Sequence, residues 1–201
     1  MPTTATPPGH SPERGMAAGA HRSILDNMSA LRNSFWWDRA DRAPHLEAVI
    51  FSLDAVLADP RADERPLAEA VWDLHCSGIR VAVVTGGHWQ SVQRPVRDLL
   101  GDGAVEVLIT GDEVNRPKPD PEVYRQALWQ LGVRAADAIA VEDTAPGLRA
   151  AVGAGLTTVV VTTTRTAGND FAGAAAVLPG YRHLSETRCR GLVLGAQRLS
   201  A

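Results

Sequence analysis

Residues Ala138 to Val161 read AIAVEDTAPGLRAAVGAGLTTVVV. An apolar run, Ala138 to Val141, ends in two adjacent carboxylates, Glu142 and Asp143, followed by Thr144. A helix is predicted over Pro146 to Ala154, and a second apolar run covers Thr157 to Val161. Short runs that are β-branched or apolar throughout, separated by an amphipathic stretch, are how parallel strands read when helices cover both faces. The alternation extends upstream to Glu47. It predicts strands at Ala48 to Leu53, Arg80 to Val84 and Val105 to Ile109. The helices between them are expected at Pro66 to Cys76, Trp89 to Leu100 and Pro121 to Leu131, with a last one at Leu192 to Leu199. The expected fold class is α/β, a Rossmann-like doubly wound parallel sheet.

The segment ahead of this pattern has another character. Residues 1–22 are dense in Pro, Gly, Thr and Ala without apolar periodicity, and a disordered tail is expected there. Residues 23–44 are expected to form an amphipathic helix and linker: Ile24, Met28, Leu31 and Phe35 recur at spacings of four and three behind a capping Ser23. Residues 45–201 then make one core domain, and the 201-residue chain has no room for a second of full size.

Twenty basic and 23 acidic side chains give a formal charge of -3, which leaves no electrostatic footprint for nucleic acid or an anionic membrane. No apolar run reaches the roughly 18 residues needed to span a bilayer, and no apolar segment for secretion opens the chain. Cys76 and Cys189 lie far apart and in no metal-ligand spacing, so reduced thiols and a cytoplasmic location are expected. The Arg, Ala and Gly bias points to a bacterial cytosol with a GC-rich genome. Against 19 arginines there is a single lysine, Lys118, which suggests a position that needs a compact ammonium.

Ligands of open α/β sheets bind beyond the carboxyl ends of the strands. The first strand leaves through Phe51-Ser52-Leu53-Asp54-Ala55, where alternation would put Ser52 and Asp54 on one side. The second ends in Val84-Thr85-Gly86-Gly87, a hydroxyl and glycine amides able to cradle an anion. After the third, Arg116-Pro117-Lys118-Pro119-Asp120-Pro121 holds a lysine between prolines ahead of a helix. The fourth ends at Glu142 and Asp143. Each signal alone reads as turn and cap chemistry. Together they would converge: carboxylates suit a hard divalent cation, and a lysine neutralises a phosphoryl oxygen.

With the stretch from Ile109-Thr110-Gly111-Asp112 to Lys118-Pro119-Asp120-Pro121, and the run Val141-Glu142-Asp143-Thr144 with Gly147, Ala150, Ala151, Ala154 and Gly155, the chain resembles the haloacid dehalogenase superfamily. The likeness is to subfamily IA, the branch of phosphoglycolate phosphatases and β-phosphoglucomutase, over about Glu47 to Thr164. That resemblance implies phosphate binding by Thr85, the Gly86 amide and Lys118. It also implies Mg2+ held by Asp143, by Glu142 beside it and by the main-chain carbonyl of Asp54, whose carboxyl matches the general acid/base.

Two departures shape the functional expectation. The position that should carry the aspartate nucleophile is Ser52, and Ala55 replaces the usual glycine. A serine hydroxyl needs a base in hydrogen-bond reach, and a phosphoserine ester would not turn over like an acyl phosphate. Loss of a carboxylate at position 52 also weakens the cation site. Between Asp54 and Thr85 there is length for one crossover helix and no cap domain. The expectation is a hydrolase-family protein impaired or inactive as a phosphatase, a pseudoenzyme with a phosphate and Mg2+ site for a phosphorylated small molecule or phosphoprotein. The alternatives are an active Mg2+-dependent phosphatase or phosphomutase, and an interaction scaffold that engages a protein partner through the N-terminal helix with Trp36 and Trp37. His75, His88 and His183 read as surface residues, Trp72 and Trp129 as packing residues, and Thr162 to Arg165 as a polar loop.

Overall fold

The apolar runs become strands β1 (Ala48–Ser52), β2 (Arg80–Val84), β3 (Val107–Ile109), β4 (Ala138–Glu142) and β5 (Thr157–Val161), joined by a sixth, β6 (Ala176–Leu178), in a computed structural model. Residues 45–59, 65–164 and 166–198 are described; the segments expected to form a tail and an N-terminal helix, with Trp36 and Trp37, lie outside them. The strands form one sheet in the order β3-β2-β1-β4-β5-β6, and every neighbouring pair is parallel. This is the doubly wound arrangement, with its reversal of winding between β1 and β4, where Phe51 pairs with Val141.

The period of two sorts the core. Val49, Phe51, Val81, Val83, Ile139, Val141, Val159 and Val161 face one buried layer, filled by α2 (Arg65–Cys76), α3 (Trp89–Leu100) and α6 (Glu186–Arg198). Ala48, Ile50, Ala82, Val84, Ala138 and Ala140 face the other, under α4 (Glu122–Leu131) and α5 (Ala145–Gly153). Strands buried on both faces take apolar or β-branched residues at almost every position, which is why they read as near-continuous runs.

Four local expectations change. β1 stops at Ser52, because Leu53 leaves the extended region at φ -116, ψ 15 and the chain turns straight into a short helix, α1 (Asp54–Leu57). Asp54 is therefore aimed by a helical turn and not by strand alternation. Among the described residues the β1 to β2 connection holds α1 and α2, one turn of helix more than expected. The last helix begins six residues early, behind Ser185, whose hydroxyl accepts from the Arg188 amide at 3.3 Å. Trp129 is 76 % exposed: the core of α4 is Val123, Tyr124, Ala127, Leu128 and Leu131, and position 129 falls on the opposite side. Trp72, also expected to pack, is 39 % exposed, and its indole N–H donates to the Leu100 carbonyl at 2.9 Å.

Candidate functional site

Lys118 Nζ is the meeting point of three strand ends. It donates to Ser52 Oγ at 2.7 Å, to Asp54 Oδ2 at 2.9 Å and to Glu142 Oε1 at 3.0 Å. The loop that carries it is braced from outside, since the Asn115 and Arg116 amides donate to the Glu122 carboxylate at 2.9 and 3.1 Å. Asp120 in turn accepts the Glu122 amide at 3.0 Å, at the start of α4. Burial opposes the lysine charge, but the carboxylates of Glu142 and Asp54 outweigh it and hold its pKa above the ordinary value.

Glu142 is fully buried, and its oxygens are all engaged. Oε1 accepts from Lys118 and from the Tyr124 hydroxyl. Oε2 accepts from the Asp143 and Thr144 amides at 3.1 and 3.3 Å and from the Thr144 hydroxyl at 3.2 Å. Thr144 also caps α5 by accepting the Gly147 amide at 3.1 Å. A Cβ at Gly147 would overlap both carboxylate oxygens of Glu142, so the glycine is required by close approach. Gly111 is a further such position, where a Cβ would strike the Gly86 carbonyl.

Asp54 links the lysine to the second strand. Its Oδ1 accepts from Thr85 Oγ1 and from the Gly86 amide, both at 2.8 Å. Burial raises its pKa, yet Lys118, Gly86 and Thr85 together bring it below the ordinary value. Thr85 Oγ1 itself accepts from the Gly87 amide at 3.1 Å. Thus Ser52, Asp54, Thr85, Gly86, Lys118 and Glu142, named from sequence, form one hydrogen-bonded group. Asp143 joins it by accepting the Ala55 amide on Oδ2 at 3.1 Å.

Asp143 differs from Glu142 in having an open atom: its Oδ1 is buried without a hydrogen-bond partner. Burial and the Glu142 charge push its carboxyl up to about 7, against the pull of Lys118. Among the described residues no three His, Cys, Asp or Glu side chains are gathered as a metal set. Asp54 turns its carboxylate into the Thr85–Gly86 turn, and its carbonyl accepts from the Ala58 amide at 3.2 Å. Magnesium keeps several waters and takes one or two carboxylates, so the residues fit it through Asp143 Oδ1, not through a three-carboxylate cage.

Two tyrosines were not found by sequence reasoning. Tyr124 is fully buried in α4, and Lys118 Nζ lies 5.5 Å from its ring centroid. Its helical position reads as core, and the hydroxyl is the signal that a polar partner exists inside. Tyr181, after β6, buries a hydroxyl with no partner, and burial with the charges of Asp143 and Glu142 raises its pKa well above the ordinary value. His88 is exposed at the rim, bonded through Nδ1 to Asp112 at 2.6 Å, which also accepts the Trp89 amide at the start of α3.

A family profile described as haloacid dehalogenase-like hydrolase matches residues 20–155. Protein CbbY of Cereibacter sphaeroides is 37% identical over 134 residues, 65% of this chain and 58% of that protein. The validoxylamine A 7'-phosphate phosphatase of Streptomyces hygroscopicus subsp. limoneus is 37% identical over 99 residues, 49% of this chain and 46% of that protein. The chain thus spans about half the length of these relatives. In fold it resembles the crystal structure of CbbY from Rhodobacter sphaeroides in complex with phosphate, with TM-score 0.62 and 24% identity over 72% of this chain and 99% of that one. Profile, sheet order and the gathering of motif residues at one sheet edge agree, and the chain belongs to the haloacid dehalogenase-like hydrolases.

Proposed function

We propose that the chain binds a phosphorylated ligand, a small metabolite or a phosphoprotein, at the Thr85–Gly86–Lys118 group, and that its hydrolytic turnover is impaired. The observation that carries this reading is the state of Ser52. Its hydroxyl is fully buried and accepts the Lys118 ammonium at 2.7 Å. Among the described residues no carboxylate or imidazole takes the Ser52 proton, and Lys118, held as an ammonium by Asp54 and Glu142, is no base. Asp143 Oδ1 is the atom that would hold Mg2+. A divalent cation bound there supplies Lewis-acid neutralisation of phosphoryl charge. Glu142 acts by holding Lys118 and the start of α5. The connection through α1 and α2 supports a site that no cap closes.

The second reading is an active Mg2+-dependent phosphatase or phosphomutase. Likeness to a phosphatase and to CbbY favours it. The two separate in one assay of purified protein on a panel of phosphorylated metabolites with magnesium. Ser52→Asp is expected to turn over at least one substrate at about 10^4 times the rate of the original chain, the scale on which covalent catalysts lose activity without their nucleophile. Turnover by the original chain that Ser52→Ala leaves untouched overturns the proposal.

A further inference from the structure

The donors assigned to phosphate in that reading already serve an anion, and it belongs to the chain. Asp54 spans them: Oδ1 takes the Thr85 hydroxyl and the Gly86 amide at 2.8 Å each, and Oδ2 takes the Lys118 ammonium at 2.9 Å. One carboxylate thereby fills a hydroxyl and a backbone amide on one segment and a cation on another, as an oxyanion would.

The cradle does not depend on this occupant. Lys118 keeps Ser52 and Glu142 without Asp54, and Thr85 keeps the Gly87 amide. The Asp54 backbone is held separately, by the Ala55 amide on Asp143 and the Leu53 amide on the Val84 carbonyl at 3.3 Å. The Asp54 side chain is 27 % exposed, so rotation about χ1 carries its carboxylate into solvent while the main chain stays in place.

We propose that Asp54 is a tethered competitor for the anion cradle, so that ligand binding is an exchange of this internal carboxylate for an external tetrahedral oxyanion. The inference rests on the phosphate-binding reading above. A tethered group competes at a high effective concentration, and the phosphoryl group must displace it before it gains the three donors. The class of ligand selected is one that brings more charge and more acceptor oxygens than a carboxylate.

Calorimetric titration of inorganic phosphate, in buffer with magnesium chloride, tests this on the full chain and on Asp54→Ala, Asp54→Asn and Thr85→Ala. Both Asp54 variants are expected to bind about tenfold tighter, equivalent to roughly 1.4 kcal/mol of competition removed, and Thr85→Ala to bind more weakly. Asp54→Asn keeps the shape of the side chain and carries the test if Asp54→Ala does not fold. Binding by the original chain that is equal or tighter than in both Asp54 variants overturns the tethered competitor and leaves the phosphate site standing. Absence of binding in every protein overturns both.

Discussion

At Asp143, burial and the adjacent Glu142 charge raise the carboxyl from 3.8 to about 7. The folded chain therefore keeps a proton that the unfolded chain has released, and the resulting stability is complete below the unfolded value and is lost as pH rises through about 7. Asp143→Asn removes that loss while its amide oxygen can still accept from Ala55. In metal-free protein the substitution is expected to raise the melting temperature more at pH 8 than at pH 5, and an equal gain at both would refute the assignment. Magnesium is expected to raise the melting temperature of the original chain and not of the variant, measured in the same scans. Tyr124 makes a simpler case. Tyr124→Phe keeps the ring beside Lys118 and removes the donor to Glu142, a buried bond to a charged group. A loss of about 2 kcal/mol is expected in urea unfolding. A special setting for Lys118 was readable in the sequence, because a lone lysine among arginines invites a chemical reason, and its ammonium does meet Ser52, Asp54 and Glu142. The Tyr124 hydroxyl was not, since an aromatic residue at core spacing on a helix has no sequence mark for what its tip touches.

The elements place these side chains by how they end. β4 runs into α5 through Glu142-Asp143-Thr144, and one threonine both caps the helix and donates to the carboxylate behind it. Gly147→Ala would drive a methyl into Glu142, and a destabilisation of about 3 kcal/mol is expected by thermal denaturation. Thr144→Ala should cost about 1 kcal/mol, the usual worth of an N-cap. If the glycine change were the milder of the two, the close approach would be wrong. Strand positions were legible because burial on both faces leaves apolar or β-branched residues at nearly every interior position, with Ser52, Arg80 and Glu142 only at strand ends. Helix ends were less so: Ser185 is a good cap, but Glu186, Thr187, Arg188 and Arg190 hide the start of α6 from any apolar period. β6 has three residues at an edge, too few to show a pattern.

Over the whole molecule, the sheet is closed on its last side by β6 and α6, with Leu178, Tyr181, Cys189 and Val193 buried in the layer that also holds Phe51 and Ile139. A chain ending at Thr164 would uncover that layer and leave β5 as an edge. It is expected to lose cooperative unfolding, seen as the absence of a calorimetric transition, and retention of a sharp transition would show that the terminal elements are dispensable.

The sequence by itself determined the parallel α/β sheet and the strand ends at which the polar residues gather. Each is written in local order, through apolar runs and short motifs. Tertiary structure alone decided that Asp54 faces Thr85 and Gly86, that Glu142 is used up by Lys118, Tyr124 and Thr144, and that Asp143 keeps one oxygen free. Those outcomes depend on which donors reach which oxygen first when segments distant in sequence meet, and local sequence carries no record of that competition.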